Sequence, residues 1–166
     1  MVKLKLLIKA TLENVTSLRP KEPESFTWFF GVTCNSCHEP HPKPIAIARN
    51  EERPLTGSRG TANFVWKCGF CKREASATFD SSLPPTASYS FESSESQKFS
   101  PLLVVECRGC EFTSFVPKGT WLCEGNESGT KFEFEIEEDE GDWTDYDEKA
   151  GNPVSVLEIE SKWERA

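Results

Sequence analysis

Histidine is scarce in this chain: there are two, His38 and His41, both beside one cysteine pair. A catalytic triad built on histidine has little to draw on, and no Gly-x-Ser-x-Gly elbow is present. Phosphate-cradling loops are also missing, because Gly57-Ser58-Arg59-Gly60 is too short and lacks the following Lys-Ser/Thr. No stretch of about 18 apolar residues occurs, which predicts no membrane-spanning helix. The opening Met1-Val2-Lys3-Leu4-Lys5 leads into short, lysine-interrupted apolar runs rather than a secretory signal. At 166 residues, 37% hydrophobic and 28% charged, the composition is that of a globular chain, either one compact domain or two small lobes.

Cysteine, by contrast, is plentiful. Seven cysteines without an export signal point to a reducing compartment and to metal rather than disulfides. The expectation is a soluble intracellular protein, cytoplasmic, with the nucleus as a further location. Two pairs organise the chain: Cys34-Asn35-Ser36-Cys37 and Cys68-Gly69-Phe70-Cys71, thirty residues apart. Two residues between cysteines let both sulfurs of a tight turn face one ion, and a second such turn on a neighbouring hairpin completes a tetrahedral set of four thiolates. Zn²⁺ suits soft sulfur ligands without redox change, so one structural Zn²⁺ per chain on Cys34, Cys37, Cys68 and Cys71 is expected. Two local disulfides or free buried thiols are the bland alternatives. A closed four-cysteine site leaves no place for substrate and predicts stability before chemistry.

Charge is uneven. The net charge is −8, yet from Glu124 to Ala166 fifteen acids face four bases, leaving the first 123 residues at +3. The acidic third repels phosphate backbones, so nucleic acid is not the expected partner.

Periodicity argues for strands throughout. Val2, Leu4 and Leu6, then Ile8, Ala10 and Leu12, alternate with polar residues, and Leu7 breaks the phase, which predicts a bulge or two-sided burial. Residues 19–25 carry Pro20 and Pro23 and read as a loop. Residues 26–33 form an aromatic, β-branched strand delivering Cys34, residues 45–47 a short strand, and residues 61–67 a strand delivering Cys68. Residues 74–80 alternate again. Serine and proline dominate residues 81–98, which read as a long, mobile loop or linker that Tyr89 and Phe91 could pin in part.

Beyond it the landmarks repeat. Glu106-Cys107-Arg108-Gly109-Cys110 parallels the first knuckle, and Gly129-Thr130 parallels Gly60-Thr61. Residues 154–160 then form a terminal alternating strand. This order reads as a degenerate duplication in which the second half kept one CxxC. The expected fold is all-β with two similar β-sheet lobes: residues 1–82 with the zinc site, a Ser/Pro-rich linker or long loop at 83–97, and residues 98–166 with the acidic segment.

Over nearly its whole length the chain resembles the eukaryotic CXXC motif-containing zinc-binding protein family. The resemblance rests on Ala10-Thr11-Leu12-Glu13-Asn14-Val15-Thr16, with Leu18-Arg19-Pro20, and on the two spaced CxxC pairs. It also rests on Gly57-Ser58-Arg59-Gly60, Glu106-Cys107-Arg108-Gly109, Glu127-Ser128-Gly129-Thr130 and Asp142-Trp143-Thr144-Asp145-Tyr146-Asp147-Glu148-Lys149. It implies a mostly β protein of two similar halves with one zinc, held by Cys34, Cys37, Cys68 and Cys71. It implies little about activity, and no zinc role carries over onto Cys110.

Other constellations are thinner. Cys34-Asn35-Ser36-Cys37-His38 matches a haem-attachment signature, with His38 axial and His41 or Met1 opposite, but a second CxxC is at hand to share a metal. Cys107-Arg108-Gly109-Cys110 reads as a redox dithiol, as a transient metal site with Glu137 or Glu140, or as a relic turn with reduced, half-buried thiols. Cys123 reads as a small core residue, and its neighbour Glu124 opposes the nucleophile a sulfoxide reductase would need. The acidic run from Glu133 through Glu137, Glu138, Asp139 and Glu140 to Glu148 lacks EF-hand spacing. Its first part alternates with Phe132, Phe134 and Ile136 and reads as a strand with one solvated face. The rest reads as a solvated, charge-rich turn whose rings pack back onto the sheet, or as a docking surface for a basic partner anchored by Trp143. No catalytic residue is assigned. The reading is an intracellular zinc-binding protein acting as a non-catalytic, monomeric protein-interaction module. The alternative is a thiol oxidoreductase or metal carrier working through Cys107 and Cys110.

Overall fold

The fold is drawn from a computed structural model, which describes residues 1–137 and 141–166. Among the described residues, fourteen strands and one short helix follow in order. The strands are β1 (Val2–Glu13), β2 (Val15–Pro20), β3 (Trp28–Cys34), β4 (Ile45–Ile47), β5 (Arg53–Pro54), β6 (Thr61–Ala62), β7 (Phe64–Lys67) and β8 (Glu74–Phe79). After the helix α1 (Phe91–Glu95) come β9 (Ser100–Arg108), β10 (Cys110–Val116), β11 (Gly119–Gly125), β12 (Lys131–Ile136), β13 (Trp143–Asp147) and β14 (Asn152–Arg165). The protein is all-β, as its alternation predicts.

One six-stranded sheet runs β13-β14-β1-β9-β8-β7, and two three-stranded sheets run β10-β3-β4 and β12-β11-β2. β5 and β6 form a separate ribbon. β1 is central because both its faces are apolar around the phase break: Leu6, Leu7 and Ile8 are all buried. The break is a real irregularity, since the β1–β9 register shifts between Leu6 and Leu7.

Strands of the two segments, 1–82 and 98–166, share sheets. β1 pairs with β9 and β14, β3 with β10, and β2 with β11. The boundaries at 82 and 98 therefore divide the chain without dividing the sheets, because each segment's strands find partners in the other. The Gly-Thr landmarks do hold equivalent places: Gly60-Thr61 opens β6 and Gly129-Thr130 precedes β12. Their pairing agrees as well, since β6 pairs with β5 before it and β12 with β11 before it.

Two local expectations need correcting. Arg19 and Pro20 belong to β2, where Pro20 sits on an open edge and faces Trp121 of β11. The segment 83–97 is docked against the sheets. Tyr89 is fully buried, its backbone exchanges two hydrogen bonds with Leu18, and its hydroxyl donates to Lys98 O at 2.7 Å. The serines that suggested a linker instead cap a helix: Ser90 Oγ accepts the Ser93 N–H at 3.2 Å.

Aromatic rings fill the space between the small sheets. Phe26, Trp28 and Trp121 meet edge to face, and Phe30 meets Phe112, Phe115 and Trp163. This packing holds β3 in place and so fixes where its last residue, Cys34, emerges.

Candidate metal centre

Two strands end at the same place. β3 delivers Cys34 and β7 delivers Cys68, each followed by a tight turn carrying the second cysteine of its pair. The turns match bond for bond. The His38 N–H donates to Cys34 O at 2.8 Å and the Cys34 N–H to Glu39 O at 3.2 Å. In the second knuckle the Lys72 N–H donates to Cys68 O and the Cys68 N–H to Arg73 O, both at 3.0 Å. His38 and Lys72 hold the same left-handed backbone, with φ of 63° and 65°. That conformation reverses the chain sharply enough to bring both sulfurs of each pair to one side.

The four sulfurs converge, all lying within 4.8 Å of one another. Cys34 Sγ is 3.6 Å from Cys71 Sγ, and Cys37 Sγ is 3.6 Å from Cys68 Sγ. With Zn–S bonds of about 2.3 Å, the sulfurs of a regular tetrahedron stand about 3.8 Å apart, close to what is seen. Disulfide sulfurs lie about 2.05 Å apart, and all seven cysteines are free. Cys34 and Cys68 are buried, while Cys37 and Cys71 are half-buried.

The protein's own dipoles prepare the sulfurs. The N–H of Cys37 favours the Cys34 thiolate and, against burial and with help from Ser36, lowers its pKa to about 6. Cys68 is likewise held below the ordinary thiol value, first by the N–H of Cys71. At Cys37 the N–H of Glu39 also favours the thiolate, but burial and the three neighbouring sulfurs outweigh it and push the pKa up to about 12. Four thiolates this close repel one another, and a dication relieves that repulsion. The donor set therefore fits zinc.

The remaining cysteines lie close by in an unexpected way. Cys107 near the end of β9 and Cys110 at the start of β10 are both fully buried, rather than half-buried. Contact with Cys110 and burial push the Cys107 thiol well above its ordinary range. Cys110 is the register partner of Cys34. The Asn35 N–H donates to Gly109 O at 3.0 Å, so the third CxxC turn is bonded directly to the first knuckle. Sequence spacing carries no trace of this neighbourhood, because residue 34 and residue 110 meet only through the pairing of β3 with β10. Cys123 is buried on β11, and burial, more than Glu124, raises its thiol to about 12.

His38 is exposed and contributes its backbone. His41 packs edge-on to Trp66, with its Nδ1 at 2.7 Å from Lys43 O. Neither histidine belongs to the sulfur cluster. Glu137 lies with Phe29 and Lys118, away from Cys107 and Cys110, while Glu138, Asp139 and Glu140 fall outside the described residues. Trp143 packs back onto the sheet rather than standing out as an anchor: it stacks on Phe134 with ring centroids 4.4 Å apart, because β12 offers an apolar face beside it. The exposed ring of that segment is Tyr146, at 53%.

An all-β chain that gathers two CxxC knuckles into one closed sulfur cluster belongs to the class of zinc-binding β proteins. The family model described as CXXC motif containing zinc binding protein, eukaryotic, matches residues 5–164, and the chain belongs to that family. It is 42% identical over 159 residues to the CXXC motif containing zinc binding protein of Bos taurus, covering 96% of each chain. It is 41% identical over 164 residues to that of Xenopus laevis, covering 98% of each. Among solved structures, the crystal structure of C1orf123 is similar with a TM-score of 0.86 and 38% identity, covering 99% of both chains.

Proposed function

We propose that the protein carries one structural Zn²⁺ on Cys34, Cys37, Cys68 and Cys71 and acts as a non-catalytic interaction module for a protein partner. The observation that carries this reading is the closure of the sulfur cluster: four donors converge with two of them buried, leaving no open position for a substrate. Zinc there ties the end of β3 to the end of β7, two strands that otherwise lie in different sheets. Mass measurement under non-denaturing conditions, on protein purified without added metal, tests it. One zinc per chain is expected; a chain free of metal or carrying two ions would overturn the count.

The partner side of the proposal rests on Tyr146, exposed among Asp142, Asp145 and Glu148. An exposed aromatic ring in a carboxylate-rich segment suits a basic protein segment. The same acidity disfavours nucleic acid. Titration with an arginine-rich peptide should move the amide resonances of residues 142–148, and Tyr146→Ala should weaken binding. Shifts confined elsewhere would sink this surface. The cytoplasm, where thiols stay reduced, suits the free cysteines. Exchange chemistry on outside substrates has less support, because neither Cys107 nor Cys110 reaches the surface.

A further inference from the structure

Four of the seven cysteines follow one another from the half-exposed knuckle to the core: Cys71, Cys34, Cys110 and Cys107. Cys71 is half-buried at the knuckle, and its sulfur is 3.6 Å from that of buried Cys34. Cys34 stands opposite Cys110 across the β3–β10 ladder. Their hydrogen bonding identifies the kind of pair. The Asn35 N–H goes to Gly109 O, one step outside the Cys34–Cys110 pair, while the Cys34 N–H turns away to Glu39 O. Cys34 and Cys110 are therefore a non-hydrogen-bonded pair, the kind whose Cα atoms approach to about 4.5 Å with side chains on the same face. That separation lies within the range a disulfide spans. Cys107 and Cys110 flank the Arg108-Gly109 turn that joins β9 to β10, and both are fully buried there.

We propose that Cys107 and Cys110 drain oxidising equivalents from the zinc site, with Cys71 as the point of entry and Cys34 as the link. A peroxide is the oxidant. The Cys71 thiolate attacks one peroxide oxygen, the O–O bond breaks, and Cys71 becomes a sulfenic acid as hydroxide leaves. Cys34 attacks the Cys71 sulfur and expels the second hydroxide, giving a Cys34–Cys71 disulfide. Cys110 attacks Cys34, and Cys71 departs as a thiolate. Cys107 attacks Cys110, and Cys34 departs as a thiolate. The thiol protons of Cys107 and Cys110 neutralise the two hydroxides. In sum, one hydrogen peroxide and two thiols become one disulfide and two waters, and the four-sulfur set is restored. Return to the starting state runs the exchanges in reverse through Cys34 to Cys71, where two equivalents of an external thiol reduce the disulfide.

Burial of Cys107 and Cys110 fits this role, because oxidant reaches them only through Cys34. The proposal uses the metal-site reading and is independent of any partner.

The test uses the full chain with its zinc. Zinc per chain is measured first, which checks the metal reading by itself. One molar equivalent of hydrogen peroxide is then added, released zinc is followed with a chromogenic chelator, and the acid-quenched thiols are alkylated and mapped by peptide mass. The wild type should keep most of its zinc and gain a Cys107–Cys110 disulfide. Cys110→Ala should release several-fold more zinc and stop at Cys34–Cys71. Cys107→Ala should trap a Cys34–Cys110 disulfide, a linkage no other route predicts. If Cys107 and Cys110 stay reduced while wild type and both variants release zinc alike, the relay does not exist. Should either variant fail to fold with its zinc, the wild-type map alone decides, and free Cys107 and Cys110 in oxidised protein overturn the proposal.

Discussion

His38 and Lys72 show how a single backbone choice serves the metal centre. A side chain in the left-handed region costs roughly 1–2 kcal/mol, and glycine would avoid that cost. Since His38 contributes its backbone to the knuckle, His38→Gly should keep the zinc and change stability by less than about 1 kcal/mol, upward if relief of strain outweighs the freedom glycine adds to the unfolded chain. Thermal melting together with metal analysis checks this, and loss of zinc would make the imidazole a participant after all. Asp147 poses a different residue-scale question. It is buried, accepts hydrogen bonds from Ser128 and Thr130 side chains and from the N–H groups of Lys149 and Ala150, and Ser128 first among these lowers its pKa. A depressed carboxylate stabilises the fold above its unfolded pKa, near 4, and that contribution fades as pH falls through the lower folded value. Asp147→Asn should therefore be less stable than wild type at pH 6, with the gap in denaturation midpoint narrowing as pH falls below 4. A gap independent of pH would remove the charge from the account. In sequence, Asp147 looked like one more acid in a run, because its side-chain donors, Ser128 and Thr130, lie 19 and 17 residues upstream. The four clustered cysteines, by contrast, were legible from spacing, since a CxxC turn is local geometry.

At the scale of elements, the segment 83–97 is where composition misleads. Serine and proline predict a free loop, yet here serine hydroxyls replace a missing strand. β1 pairs with β9 only as far as Ile8. Beyond that point the Leu12 N–H donates to Ser94 Oγ at 2.8 Å, and Ser94 Oγ donates to Ala10 O at 2.9 Å. The helix thus closes the open side of β1. Ser94→Ala would leave the Leu12 N–H without a partner, at a cost of about 1–3 kcal/mol. Hydrogen exchange at Leu12 should accelerate; unchanged exchange and melting would make the contact dispensable. The signal present in sequence was Tyr89, an aromatic in a polar stretch. Its burial pins the segment, and Tyr89→Ala should cost about 3–5 kcal/mol by chemical denaturation. Strand positions elsewhere followed the alternation closely, as at residues 45–47 and 132–136, because a period of two reports which face is buried. Pairing partners did not follow from it, since alternation does not say which strand lies alongside.

For the whole molecule, that unread pairing decides how the zinc site couples to stability. A chain of two separate lobes would lose one lobe when the metal is removed and keep the other. Here β3, which carries Cys34, is held by β10, and the sheet that ends at β7, beside Cys68, contains β1, β9 and β14 from both ends of the chain. Structural zinc contributes on the order of 10 kcal/mol, comparable with the whole stability of a domain of this size. Removing the metal should therefore destabilise strands throughout, including β13 and β14, which touch no zinc ligand in sequence. Chelation at neutral pH, or Cys68→Ser, is expected to lower the melting temperature in a single transition followed equally by tryptophan fluorescence and far-ultraviolet dichroism. Hydrogen exchange should rise together in β3, β8 and β14. Separate transitions, with β14 protected after β3 has opened, would instead mark two lobes that fold apart. Cooperation of that kind also bears on the cysteine relay. If opening one knuckle loosens every sheet, a fold that returns an oxidised Cys34 to its thiolate preserves the entire structure rather than one loop.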